Sequence, residues 1–236
     1  MHGQQYLDDE LRRLPTSYYV PTSGIGRLLR ALDGRPQRVG MVGLGAGTIA
    51  AYGKRGDSYT FFEIDPAVAE VARRHFSFLA DSAATVQVLL GDGRLLLQRG
   101  GSTFDVLAVD AFSGDSIPVH LLTREAVALY VSRIKRDGVI ALHVSNRHLD
   151  LRPVVSRIAA ELNLQLAYIE DPIYDGDGPE KASSDWILLA RDRSVLDRAP
   201  IREGARALPA SAPGRPWSDD YSNVAQVMSL TKALAR

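Results

Sequence analysis

The 236-residue chain contains no cysteine. That absence excludes a disulfide scaffold, a thiol nucleophile and any thiolate metal site. Net charge is missing too, since 28 Lys and Arg stand against 28 Asp and Glu. The chain therefore lacks the basic footprint of nucleic-acid binding, and no nucleic-acid partner is expected. Lysine is scarce: only residues 54, 135, 181 and 232 are Lys, and with Ala abundant the excess of Arg reads as coding bias. Long apolar runs are also lacking. The longest uncharged run, Val39 to Gly53, holds 15 residues and five glycines, whereas a membrane-spanning helix needs about 20 apolar residues. The start, Met1-His2-Gly3-Gln4-Gln5-Tyr6, has neither the basic segment nor the apolar core of a signal peptide. These absences set the expectation of a soluble, cytoplasmic chain.

What is present is ordinary globular composition, 45% hydrophobic and 24% charged. The length suits one large domain, or one with a small appendage, and suffices for a core without covalent staples. Beyond a polar lead over residues 1–24, short apolar runs alternate with amphipathic stretches. Val39–Val42, Tyr59–Phe62, Val86–Leu90, Phe104–Val109 and Gly138–Leu142 read as buried strands. Between them lie helical patterns. Asp65-Pro66 combines a good N-cap with a residue suited to the first turn, and Val68, Val71, Ala72 and His75 follow at helical spacing. Glu125–Arg133 and Val154–Leu162 read as further helices. Unalternating strands separated by helices predict a doubly wound, mostly parallel α/β sheet. Gln165–Ile169 and Trp186–Leu189 have no helix between them, which predicts an antiparallel pair at one edge. Residues 192–216, rich in Arg, Ala and Pro, read as loop.

Chemistry concentrates at four strand ends. The first strand runs into Gly43-Leu44-Gly45-Ala46-Gly47, where glycines allow a tight turn and close approach of a ligand to a helix N-terminus. The spacing is GxGxG rather than GxGxxG, which fits a dinucleotide poorly and makes an NAD-dependent dehydrogenase a distant reading. Glu63 closes the second strand 20 residues after Gly43, where a carboxylate would meet ribose hydroxyls. Gly91-Asp92-Gly93 follows the third strand, and Asp92 can accept from an adenine amino group, cap the next helix, or both. Together these elements point to an adenosine site. The fourth strand ends in Asp110-Ala111-Phe112-Ser113-Gly114-Asp115, with two carboxylates where the transferred group of a bound nucleoside would lie.

With these residues the chain resembles the spermidine synthase (polyamine aminopropyltransferase) family. The shared run comprises the glycine loop, Phe62-Glu63-Ile64-Asp65, Gly91-Asp92-Gly93, Phe104-Asp105-Val106, Asp110 and Tyr130. It is particularly similar to bacterial spermidine-synthase-like proteins fused to transporter-like membrane segments. With those it shares Asp110-Ala111-Phe112-Ser113, His143-Val144-Ser145-Asn146 and Trp217-Ser218-Asp219-Asp220-Tyr221-Ser222-Asn223. The resemblance implies a Rossmann-like sheet of the S-adenosylmethionine-methyltransferase type and a role in polyamine biosynthesis. It implies aminopropyl transfer from decarboxylated S-adenosylmethionine to a putrescine-like amine, with methylthioadenosine released. By position, Asp110 is the catalytic base and Asp115 a second catalytic carboxylate. Gly43, Gly45, Ala46, Gly47, Glu63, Asp92 and Gly93 bind the co-substrate, and no metal is implied. Gln5, Tyr18, Tyr19 and Tyr221, with His2, line the amine's entrance by looser analogy. The implied partners are a small-molecule polyamine, a second copy in a homodimer and a longer membrane-anchored protein. Residues 1–30 would be an N-terminal arm or the remnant of the family's β-hairpin lid, and residues 31–236 the catalytic domain.

The chain also departs from the family. The family's glycine loop carries an Asp, contacting the aminopropyl ammonium, where this chain has Ala46. Asp115 follows Asp110 by five residues, where the family's spacing is three. Ala46 therefore keeps open an S-adenosylmethionine-dependent methyltransferase, or an enzyme cleaving S-adenosylmethionine itself, because the loop can then accept the methionine carboxylate. A non-catalytic nucleoside-binding regulatory module is the third reading. His75 is expected on the inner face of its helix. His143 reads as a core strand residue with a satisfied ring, or else as one facing ligand. Asp219, Asp220 and Tyr221 either cover the site from the C-terminal side or tie the structure together.

Overall fold

Runs rich in Val, Leu and aromatic residues line up as the predicted sheet, in a computed structural model that describes residues 3–112, 118–146, 148–208 and 214–228. The parallel strands are β1 (Arg38–Val42), β2 (Ser58–Glu63), β3 (Thr85–Leu90), β4 (Phe104–Val109) and β5 (Ile134–His143). Next come β6 (Gln165–Asp171) and β7 (Ser184–Ala190), an antiparallel pair, and the two-residue β8 (Ala205–Arg206). The spatial order is β3-β2-β1-β4-β5-β7-β6-β8. The later strand of the pair, β7, docks antiparallel on β5, and β6 lies outside it.

Because side chains alternate along each strand, the sheet feeds two cores. Met41, Phe61, Ala108, Ala141 and Leu188 face one side, and Val42, Phe62, Val109, Leu142 and Ile187 the other. The first side is covered by α1 (Gly24–Ala31), α2 (Pro66–His75) and α3 (Phe78–Asp81); the second by α4 (Gly93–Arg99), α5 (Arg124–Arg133) and α6 (Arg152–Glu161). Asp65 caps α2 by accepting from the Ala67 N–H at 2.8 Å. The buried stripe of that helix is Ala69 and Ala72, small residues that let it lie close to the sheet. Val71 and His75, expected inside, are turned out to solvent, and His75 is the last residue before the chain leaves the helix.

A second correction concerns residues 192–216. Two short helices, α7 (Arg193–Leu196) and α8 (Ala199–Gly204), precede β8 there and return to the first core. Asp192 caps α7 through the Ser194 N–H, Pro200 sits in the first turn of α8, and Val195, Leu196 and Ile201 are buried. Three widely spaced apolar residues among Arg and Ala suffice because the sheet edge, rather than periodicity, fixes them. No helix among the described residues is long and apolar enough to cross a membrane.

Candidate active site

The C-terminal edge of the sheet gathers one row of side chains. Glu63 ends β2, His143 ends β5, and Trp186 stands opposite His143 in the register of β7. Asp110 lies one residue beyond Val109, which pairs with Leu142, so parallel pairing sets it beside His143. Stepping by two from Phe61, Ala108 and Ala141 puts Glu63, Asp110 and His143 on the face covered by α1 and α2. Between Glu63 and Asp110 comes Gly43, with φ +97°. A Cβ there would lie 2.4 Å from the Asp110 carbonyl oxygen, so only glycine lets β1 and β4 approach at this turn.

A cavity of about 700 Å³ opens over this row, within the range of small-molecule sites. It brings together the predicted Gly43, Gly45, Glu63, Asp92, Gly93, Asp110, Tyr18 and Tyr19. Glu63 is buried, and its two oxygens accept the N–H groups of Leu44 and Asp65, each at 2.9 Å. Those bonds tie the glycine loop to the end of β2 and hold the carboxylate at the cavity wall. Asp92 caps α4 through the Leu95 N–H at 2.9 Å while its residue faces the cavity, so the structural and ligand-facing positions coincide. After the glycine loop comes a 3₁₀ turn, Thr48–Tyr52, instead of an α-helix. The helix expected after the loop is thus a short stretch of 3₁₀ turn.

Asp110 is enclosed on both oxygens. Oδ1 lies 2.6 Å from His143 Nδ1, and Oδ2 accepts from the Tyr19 hydroxyl. Burial, and then the charge of Asp110, push the Tyr18 and Tyr19 phenols well above their usual range, so both stay protonated and Tyr19 remains a donor. His143 stacks on Trp186, with ring centroids 4.6 Å apart and planes 11° apart, and Tyr18 and Phe112 complete an aromatic slot. The first expectation for His143, a satisfied core ring, holds on one nitrogen only, because Nε2 is buried without a partner. Counting registers from Asp110 across to β5 is the signal that finds this contact. The carboxylates Glu63, Asp65, Asp92 and Asp110 line the cavity, and among its described lining residues none is Lys or Arg.

Four candidates do not line it. Gln5 instead exchanges hydrogen bonds with Ser77 at the start of α3, at 2.8 and 2.9 Å. Ala46 is buried under the N-terminal segment, where a Cβ built on Gly3 would come within 2.6 Å of its own. Gly47 packs toward Leu79. Tyr221 lies under the Arg215 guanidinium, 5.0 Å from the ring centre, and pairs its backbone with Ser218. His2 and Asp115 fall outside the described residues. Asp219 makes a structural tie: Arg94 grips it at 2.6 and 2.9 Å and Thr123 donates to it at 2.7 Å. Arg94 thereby holds the Asp219 carboxyl below its usual range.

Three comparisons bear on this site. A family model described as "Spermine/spermidine synthase domain" matches residues 32–167. A polyamine aminopropyltransferase of Vibrio vulnificus (strain CMCP6) is 25% identical over 232 residues, which cover 96% of this chain and 72% of that protein. The solved spermidine synthase of Thermotoga maritima is similar with a TM-score of 0.54 at 16% identity, covering 75% of this chain. The chain spans 60% of the length of that structure. Human methyltransferase-like protein 13, solved with SAH, gives a TM-score of 0.53 at 20% identity and covers 84% of this chain and 93% of that one. Both structures share the Rossmann-like, S-adenosylmethionine-methyltransferase-type sheet.

Proposed function

The chain belongs to the spermine/spermidine synthase family, a family of transferases, and from that premise we propose that it transfers an aminopropyl group from decarboxylated S-adenosylmethionine to an amine. The observation that carries this reading is the charge of the cavity, four carboxylates and, among the described lining residues, no Lys or Arg. A sulfonium, an aminopropyl ammonium and an amine acceptor are all cations, and such a cavity attracts them. The carboxylate of intact S-adenosylmethionine would meet no Lys or Arg among the described lining residues, which disfavours the methyltransferase and cleavage readings.

In this proposal Glu63 accepts from the ribose hydroxyls and Asp92 from the adenine amino group, while Gly43, Gly45 and Gly93 let the nucleoside approach the backbone. The described lead, with Tyr18 and Tyr19 lining the cavity, takes the part of a cover. Asp110 draws in the amine as its ammonium and accepts one proton from it. The freed lone pair then attacks the carbon next to sulfur. A C–N bond forms, the C–S bond breaks, and its electron pair stays on sulfur as neutral methylthioadenosine. The positive charge passes to the new secondary ammonium. Little is asked of the protein beyond alignment and proton acceptance.

Product analysis tests it. Incubation with decarboxylated S-adenosylmethionine and a diamine should yield methylthioadenosine and a lengthened amine in equal amounts. Adenosylhomocysteine formed from intact S-adenosylmethionine would establish a methyltransferase instead. Methylthioadenosine without amine extension would establish cleavage, and binding without any product a regulatory module.

A further inference from the structure

We propose that His143 is a positioning residue for the reaction: through its Nδ1–H it holds the Asp110 carboxylate aimed into the cavity. The inference rests on the aminopropyl-transfer reading, in which Asp110 accepts the amine's proton.

Geometry comes first. The two residues are 33 apart in sequence, yet the parallel register of β4 and β5 sets them side by side, with Nδ1 and Oδ1 at 2.6 Å. Both side chains are almost wholly buried, at 3% and 2% exposure. The other tautomer would face a ring lone pair against a carboxylate oxygen, so the contact fixes the proton on Nδ1. The Tyr19 hydroxyl donates to the second oxygen, and the carboxylate is thus held from both sides by hydrogen-bond donors. A donor on each oxygen fixes the orientation of the carboxylate.

The second argument is the price of the arrangement. Nε2 is buried with no partner, and leaving a buried acceptor unmade is unfavourable. The slot around the ring is made of Trp186, Tyr18 and Phe112. An apolar residue would fill that slot without orphaning a nitrogen, so packing does not account for an imidazole. Among the described residues its hydrogen-bonding contact is Asp110. Trp186 stacks flat on the ring and sets its plane, which makes the donor direction rigid. Among the described residues, the titratable groups facing the ring are Asp110 from β4 and the phenols of Tyr18 and Tyr19 from the lead, which remain neutral.

The test compares His143→Ala with His143→Asn, whose amide nitrogen falls near the position of Nδ1 and can donate to Asp110. With decarboxylated S-adenosylmethionine and a diamine, His143→Ala should lose about ten- to a hundredfold in kcat, the worth of a hydrogen bond to a charged group. Its affinity for methylthioadenosine should stay within about threefold, because the nucleoside does not depend on this bond. His143→Asn should recover most of the kcat. His143→Ala at the parental kcat, or His143→Asn no better than His143→Ala, overturns the inference. If His143→Ala does not fold, ¹⁵N shifts of the parental ring decide: a proton on Nδ1 supports the assignment, and a proton on Nε2 alone overturns it. A parent with no turnover overturns the aminopropyl-transfer reading, and the tautomer then decides whether His143 holds Asp110.

Discussion

The two edges of the sheet use buried carboxylates in opposite ways. At the N-terminal edge, Asp57 accepts the N–H groups of Gln37 and Lys54 at 2.7 and 2.9 Å. Asp105 there accepts the Arg38 N–H at 2.8 Å and meets Lys135 at 2.7 Å, with Arg35 3.3 Å away. At the C-terminal edge Glu63, like Asp57, takes backbone N–H groups, but the partners of the buried Asp110 are a phenol and an imidazole. Asp105 is thus paired with cations, whereas Asp110, beside the cavity, meets no Lys or Arg among the described lining residues. A buried carboxylate with full cationic pairing is cement; one held only by neutral donors retains charge for a ligand.

The sharpest way to break this comparison is Asp110→Asn. It preserves size and most hydrogen bonding but removes the charge and the proton acceptor, so turnover should drop by about 10² or more, while methylthioadenosine binds within a few-fold of the parent. Near-parental turnover in the folded variant would move the base to Asp115. Asp105→Asn is the counterpart at the other edge. It leaves Lys135, a third exposed, without its buried partner and should cost about 1–2 kcal/mol of stability in denaturant unfolding, with nucleoside affinity unchanged once folded. A loss of affinity without a loss of stability would erase the distinction between the edges. Glu63→Ala probes the nucleoside side of the C-terminal edge. Loss of hydrogen bonds to a charged group, about 1.5–3 kcal/mol, should weaken methylthioadenosine binding by about tenfold or more in calorimetry. Because the change also orphans the Leu44 and Asp65 N–H groups, a melting curve must accompany it, and unchanged binding in a folded variant would sink the adenosine assignment.

Legibility in the sequence follows the range of the contacts. Glu63 and Asp92 announce themselves because their roles are local: each closes or follows a strand, and Asp92 caps the helix that begins at the next residue. Tyr19 and Asp110 are 91 residues apart, and nothing in either segment advertises the other. His143 looks like a core residue until β5 is laid against β4 in register. The exposed Val71 and His75 show the same limit from the other side, since spacing marks a helix but the approach of the sheet chooses its inner face.

By itself, then, the sequence determined the alternation of strands and helices, the caps at Asp65 and Asp92, the glycine loop, and the order of acidic residues at successive strand ends. These depend on backbone preferences and contacts within a few residues, which the chain writes in order. The tertiary structure alone decided that β7 would lie inside β6 and that residues 193–204 would form helices against the sheet edge. It alone closed the lead over Ala46 and joined Tyr19, Asp110, His143 and Trp186 into one buried cluster. Such contacts arise from register and packing between segments far apart in the chain, and only folding brings those segments within reach.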